Sequence, residues 1–459
     1  MMAVLCALAS AAMLYLGQGI DDVWWLAWIA PAPLLWLAYG GAPRWQMFLG
    51  SLIAGAASQL YAIQIYGGQL PAAMLLAMIG GFALIFAAVI VASQAMQRRL
   101  PPWAALLAYP ALWTGCEYLI SLVSANGSYG SIAYASMPFP ASVQIASLFG
   151  IYGVSFTMCL FANALALGAR GSRKPALAGL AVCAAVFAFG FFRLTTPQGT
   201  VAPVAALSDW DARRLSMRSI SLAASQSLAG EYERAARVEA DRGAKLIVIP
   251  ETALAFDPQW RAILIEPFVQ LARSHGLTLV IGTLGLHPYR NVALAFLPDG
   301  SVFDYDKRHL LPPGENRFTP GTHAGLLGGD QAVAICKDMD FERTLRSDMR
   351  QGVVRILAVP ANDFIKDDWL HARMAMMRGV ENGFALVRAA SNGIATVSDA
   401  QGRVLASART YAPGLTVIRA SVPLGPGPTL YTGIGDVFAW ACMALAASLA
   451  ALAFVKRRA

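Results

Sequence analysis

The stretch VAICKDMDF, residues 333–341, runs apolar as a strand does, reaches a cysteine and then turns charged. Cys336 is the one cysteine between residues 200 and 430; Cys6, Cys116, Cys159, Cys183 and Cys442 all fall in long apolar blocks, where a small polarizable side chain serves as packing. A domain with a single cysteine forms no internal disulfide, so this thiol is either buried or used.

Around it, residues 200–430 alternate short β-branched runs with amphipathic stretches, the pattern of an α/β domain. VAPVAAL reads as a first strand, 226–242 as a helix, and KLIVIP as a strand ending at Glu251. A helix over 258–275 and the strand LTLVIGT follow. NVALAFLPDGSVFDYDK reads as a hairpin turning through Pro298, Asp299 and Gly300. AVAIC, RILAVPA, FALVRAA and IATVSDAQGRVLAS supply further strands, with helices over 341–351 and 369–382. The Gly/Pro-rich PLGPGPTLYTG, 423–433, reads as a linker.

The rest of the chain is of another kind. With 57% hydrophobic and 14% charged residues in 459, the apolar residues gather in blocks of membrane-crossing length at about 3–17, 23–39, 45–66, 71–96, 103–123, 143–168, 175–192 and 434–454. This predicts eight spans: a seven-span bundle over 1–193, an outer domain over 200–430 and an eighth helix over 434–454. The first block lacks the basic flank and small-residue cleavage site of a signal peptide and is expected to be an anchor. Arg44, then Arg98 and Arg99, then Arg170, Arg173 and Lys174, then Lys456, Arg457 and Arg458 each follow an even-numbered span, whereas Asp21 and Asp22 follow the first. Retention of basic loops in the cytoplasm puts both termini there and the 200–430 domain on the other side. Arg193, at the outer end of the seventh span, fits a snorkelling interfacial residue. Residues 200–430 hold 25 basic and 23 acidic residues, so most of the net charge of +8 is topological, and no nucleic-acid partner is expected.

Three polar residues stand just beyond strands: Glu251, Lys307 and Cys336. Sites in α/β sheets form at such places. Taken singly, each has a plainer reading, as a helix cap, a surface charge and a core residue. Together they offer a chemistry in which a carboxylate moves the thiol proton and an ammonium stabilises thiolate and oxyanion, with the backbone N–H of Lys337 as a further oxyanion donor. The histidines at 275, 287, 309, 323 and 371 show no metal-ligand spacing, and no metal or cofactor is expected.

VIPETAL, YDKRHLLPPGE and AICKDMDF, in this order, resemble the Glu, Lys and Cys segments of the nitrilase superfamily of carbon–nitrogen hydrolases. With spans on both sides of the domain, and with PALWTGCEYL, FGIYGVSF, HARMAMMRGVENGFALVRAASNGIATV and TLYTGIGD, the whole chain is similar to the apolipoprotein N-acyltransferase family. The resemblance implies an αββα sandwich with Glu251 as general base, Lys307 as stabilising cation, Cys336 as nucleophile and Glu315 as a supporting acid. It also implies an enzyme of the bacterial inner membrane, a monomer, that moves an acyl chain from a phospholipid through a cysteine thioester to the N-terminal amine of a lipoprotein. Three departures from the family pattern bear on substrate. Lys337 and Asp338 stand where an aromatic residue and Glu are usual, with the Lys337 charge expected to lower the thiol pKa. The segment 316–335 is short, and LSDW follows the first strand. These leave room for a membrane-anchored amidase that hydrolyses its acyl-enzyme, for a non-lipoprotein amine acceptor, or for a silent scaffold. A transporter is disfavoured by the few ionisable residues in the spans and the lack of an inverted repeat.

Glu117, inside the fifth span, is an ionisable group where function is over-represented. Arg378 and Glu381 have the spacing of a helical ion pair, and Trp24, Trp25 and Trp28 that of an interfacial belt.

Overall fold

The computed structural model describes residues 1–18, 23–197, 199–209, 220–364 and 369–455, which form two units: Met1–Thr196 with Ile434–Ala459, and Pro197–Gly433. Asp21, Asp22, Lys456, Arg457, Arg458 and the Trp210 of LSDW lie outside the described residues.

The first unit is helical. Six of its described helices are long and apolar enough to cross a membrane: Arg44–Tyr66, Ala72–Gln97, Pro102–Val123, Ala146–Ala169, Arg173–Thr195 and Val437–Val455. The expected count of eight is corrected by this. The first apolar block forms a 17-residue helix, Met2–Gln18, and the second is divided into Trp24–Ile29 and Ala32–Tyr39 around Pro31, whose ring removes a backbone donor. The tryptophan belt is corrected in part. Trp28 is buried and donates its indole N–H to Ser136 Oγ at 3.0 Å, and Trp24 stacks on Phe139, leaving Trp25 exposed. Arg193 donates to the Gln144 carbonyl at 3.3 Å.

The second unit holds two six-stranded sheets, in the orders β12-β1-β2-β3-β4-β5 and β11-β10-β9-β8-β7-β6. In the first sheet β1 (Val201–Asp209), β2 (Leu246–Phe256) and β3 (Thr278–Gly285) run parallel, and β4 (Arg290–Phe296) and β5 (Val302–Asp306) continue it as the expected hairpin. Side chains alternate across β2 as a strand requires. Leu246 and Val248 face the other sheet among Val333, Ile335, Ile356 and Val387. Ile247 and Ile249 face the helices Leu222–Asp241 and Arg261–His275 through Leu228, Tyr232, Phe268 and Leu271. On the second sheet, β6 (Leu326–Gly328), β7 (Gln331–Val333), β8 (Ile356–Asn362), β9 (Ala385–Ser391), β10 (Ile394–Ser398) and β11 (Val404–Arg409) lie in sequence order, and the buried helix Leu370–Asn382 packs on β9 and β10. In that helix Arg378 pairs with Glu381 at 3.1 Å, as the spacing indicates.

Sequence reading omits β12 (Leu415–Pro423), which pairs antiparallel with β1 over nine residues. It also places two strand ends incorrectly. β7 stops at Val333, three residues before Cys336, and β2 runs through Glu251 to Phe256. Glu251 nonetheless leaves the regular ladder. Ile249 pairs with Ile281 and Leu254 with Thr283, so the residues Pro250 to Ala253 stand opposite the single residue Gly282. The bulge closes because Gly282 has no side chain, since a Cβ there would lie 2.4 Å from the Glu251 Cα. Gly282→Ala is therefore expected to push the Glu251 backbone aside. The cost is about 1–3 kcal/mol of overpacking, read as a lower melting temperature of the detergent-solubilised protein together with lost activity.

Candidate active site

Glu251 sits in the β2 bulge, followed by Thr252 at φ 52°, a left-handed conformation that is rare for a β-branched residue. Lys307 directly follows β5, its N–H bonded to the Asn291 carbonyl at 2.9 Å and its carbonyl accepting from Gly321 N–H at 2.9 Å. The two side chains meet, with Lys307 Nζ 2.7 Å from Glu251 Oε1, and both are almost fully buried. Lys307 also reaches Glu315, at 2.9 Å from Oε1 and 2.8 Å from Oε2. Asn291 donates from Nδ2 to Glu251 Oε1 and to Glu315 Oε1, each at 2.7 Å. Glu315 is itself fixed by the Leu311 N–H at 2.7 Å. One ammonium thus stands between two carboxylates, and an amide ties the carboxylates together.

Cys336 opens a tight turn, Cys336–Asp340, and its φ of 39° is again left-handed. Such strain at a reactive side chain holds it in a pose the relaxed backbone would not select. The thiol is part-buried and points to the Asn362 carbonyl at 3.6 Å, while Asn392, also left-handed, braces the Asn362 side chain at 2.9 Å. Glu251 and Lys307 are among the charges that act most strongly on this sulfur. The three residues singled out from the sequence are brought together, with Glu315 among them.

The two residues after Cys336 do different work. Asp338 turns back onto the segment that carries Lys307. It accepts from Tyr305 OH at 2.8 Å, the N–H groups of Arg308 and His309 at 3.2 and 2.9 Å, and His309 Nδ1 at 3.0 Å. It also accepts from Ile335 N–H, next to Cys336, at 3.1 Å. One buried carboxylate therefore links the Cys336 turn to the Lys307 loop. Lys337 is buried, lies 3.5 Å from Asp340 and stands over the Phe341 ring.

A carbon–nitrogen hydrolase profile matches residues 200–425, and a profile described as the apolipoprotein N-acyltransferase N-terminal domain matches residues 10–165. An apolipoprotein N-acyltransferase of Geobacter metallireducens is 30% identical over 99% of this chain and 95% of its own length. The chain belongs to the apolipoprotein N-acyltransferase family. A second such relative, from Allorhizobium ampelinum, is 26% identical over 95% of this chain and 86% of its own. Among solved structures, an amidase from Nesterenkonia sp. overlays 53% of this chain and 97% of its own at 21% identity, with a TM-score of 0.42.

The electrostatics of this N-acyltransferase site set the resting protonation. Burial pushes the Cys336 thiol well above its ordinary value, Glu251 pushes it further, and Lys307 pulls it back without prevailing. This corrects the expectation of a thiol whose pKa Lys337 lowers, because the opposing cations are Lys307 and Arg388 and the net direction is upward. Burial likewise raises Glu251, against the pull of Lys307. Lys307 loses to burial but gains more from Glu251, Cys336 and Glu315, and stays firmly charged. Burial would raise Asp338, yet the hydrogen bonds and charge of His309, with Ile335 N–H and Tyr305 OH, hold it below the usual carboxylate range. Asn291, Asn362, Asn392, Tyr305 and His309 escape sequence reading. His309 and Tyr305 gave a signal by standing inside YDKRHLLPPGE, and Asn392 by standing inside HARMAMMRGVENGFALVRAASNGIATV.

Two expectations follow from these signs. Glu251→Gln removes an anion from beside the sulfur, so the midpoint of Cys336 alkylation should move to lower pH even as turnover is lost, which iodoacetamide kinetics across pH would measure. Asp338→Asn should cost about 2 kcal/mol or more, because an amide presents donors to groups that already donate. Since the folded Asp338 carboxyl is depressed, its contribution is present above the ordinary value and lost as pH falls through the folded one, so the variant's melting temperature should fall less on acidification than the wild type's.

Proposed function

We propose that this enzyme takes an acyl chain from a phospholipid onto Cys336 and passes it to the N-terminal amine of a lipoprotein. The observation that carries the reading is the buried Glu251–Lys307–Glu315 cluster acting on a part-buried, strained cysteine, in a chain that belongs to the N-acyltransferase family and carries six membrane-length helices.

In the first half-reaction Glu251 takes the thiol proton as the sulfur attacks the ester carbonyl. The S–C bond forms, and the oxyanion develops toward the Lys307 ammonium. When the tetrahedral intermediate collapses, the C–O bond breaks and Glu251 returns the proton to the leaving alcohol of the lysophospholipid. In the second half the amine attacks the thioester and the C–N bond forms while Glu251 takes the amine proton; as the C–S bond breaks, Glu251 returns that proton to the sulfur and the thiol is regenerated. Glu315 keeps Lys307 aimed, and Asp338 keeps the two loops in register. Hydrolysis is the weaker reading, since the relatives spanning nearly the whole chain are acyltransferases rather than amidases.

Both substrates are bilayer amphiphiles, and extracting one would cost about 0.8 kcal/mol per exposed methylene, so catalysis beside the membrane is physically economical. The enzyme is a multi-pass protein of the bacterial inner membrane. We place residues 200–430 outside the cytoplasm on the strength of the basic loops at Arg98–Arg99 and Arg170–Lys174. Setting aside the two short leading segments removes an even number of crossings, so every later loop keeps its side.

Incubation of the purified enzyme with a radiolabelled phospholipid should leave a hydroxylamine-sensitive acyl adduct that is missing from Cys336→Ala. Addition of a diacylated lipopeptide should discharge it to an N-acylated peptide rather than to free fatty acid. A wild-type protein that gains no label would overturn the reading.

A further inference from the structure

The helical unit contains a cavity of about 360 Å³ built from residues between Gln59 and Tyr152. One wall is the helix Ala72–Gln97, which presents Met74, Met78 and Phe82 at i, i+4 spacing. Methionine side chains adapt to an irregular chain laid against them. Gly81 lies on the same wall, and a Cβ built there would meet no atom within 4 Å, so the space is open. Gln59, Asn126 and Tyr129 add polar groups to the lining.

Glu117 borders this space from the helix Pro102–Val123. Its carboxylate accepts from Ile132 N–H at Oε1, 3.0 Å, and from Ser131 Oγ at Oε2, 3.2 Å. These partners are neutral. Among the described residues that line the cavity, none is Lys or Arg, so the charge meets no protein cation there. A carboxyl inside a membrane helix with neutral donors and no countercharge is costly to ionise unless a cation joins it. A divalent metal is a poor fit, because no second carboxylate lines the cavity and such ions take six or more oxygen ligands.

We propose that this cavity binds the headgroup of an ammonium-bearing amphiphile. Glu117 pairs with the ammonium, the polar lining groups solvate the linker, and Met74, Met78 and Phe82 receive the first part of one acyl chain. The volume lies near the lower end of the roughly 300–1,000 Å³ usual for small-molecule sites, which suits a headgroup with one chain segment rather than a whole two-chain lipid. The same ammonium chemistry occurs on an aminophospholipid and on the free amine of a lipidated cysteine. The inference rests on the reading of the enzyme as one that handles lipids and amines, and it assigns Glu117 a substrate-recognition role in the membrane.

The test is binding, not turnover, to full-length wild-type enzyme in detergent micelles. Three ether-linked probes that carry no transferable acyl group are compared: a lysophospholipid with an ethanolamine headgroup, its counterpart with a glycerol headgroup, and an S-dialkylglyceryl cysteine amide. Either ammonium-bearing probe should bind about tenfold or more tightly than the glycerol one, as expected for a hydrogen bond between charged groups, and the tighter of the two identifies the source. Glu117→Gln should bring that ratio near one. Gly81→Leu fills the open wall without a clash and should weaken all three probes while Glu117 remains intact. Equal binding of the ethanolamine, cysteine and glycerol probes by the wild type, a ratio unchanged in Glu117→Gln, or full binding by Gly81→Leu would each overturn the proposal. Because the probes cannot acylate Cys336, these outcomes are independent of whether a thioester forms.

Discussion

The site is organised around one ammonium. Lys307 Nζ lies within 2.9 Å of three carboxylate oxygens on two residues, Glu251 and Glu315, in a setting where Glu251 and Lys307 are each about 3% exposed. Removing either partner of a buried pair leaves an uncompensated charge, at about 3–5 kcal/mol. Here the consequence is sharper, since without Lys307 the buried Glu251 carboxylate would face the half-buried one of Glu315 across the Asn291 amide that bridges them. The lysine therefore holds the base in place and keeps its charge tolerable, and the same positive charge is available to an oxyanion.

Everything that surrounds the cluster serves to keep three distant chain segments in register. The β2 bulge delivers Glu251 against Gly282, the end of the β4–β5 hairpin delivers Lys307, and the turn after β7 delivers Cys336. Asp338 joins the last two, for its oxygens take donors both from Tyr305, Arg308 and His309 and from Ile335. A carboxylate shorter by one methylene than the usual glutamate reaches these donors because the turn brings its backbone to them. The departure noted in the sequence is thus a local adjustment of one clamp, not a loss of the site.

The alternation of apolar runs made the α/β unit legible, because burial on both faces demands uninterrupted β-branched stretches such as LIVIP and LAVPA. Family segments marked Glu251, Lys307, Cys336 and Glu315. What remained hidden depends on partners distant in the chain. LTVIRASVP became β12 by pairing with β1, some two hundred positions earlier, and nothing local announces that. Glu251 looked like the end of a strand because PET breaks the apolar run; the strand resumes once Gly282 makes room for a bulge. Asn291, Asn362 and Asn392 act through hydrogen bonds to residues distant in the chain, and an isolated asparagine carries no periodic signal. In the helical unit the apolar blocks gave the membrane class, whereas Pro31 decided how the second block divides, which block length alone does not show.

The resting state of Cys336 bears on how a domain with a lone cysteine keeps its thiol intact. Oxidation, like acyl transfer, proceeds through the thiolate. A sulfur that burial and Glu251 keep protonated is a poor nucleophile toward a passing oxidant. In the mechanism proposed above it becomes a good one only when a carbonyl stands ready to accept its electrons while Glu251 accepts its proton, with Lys307 neutralising the charge that moves onto oxygen. The same carboxylate that suppresses the free thiolate is the one positioned to create it during attack. On that mechanism activation is tied to the presence of substrate, whereas a low thiol pKa would leave a standing thiolate open to oxidants between turnovers.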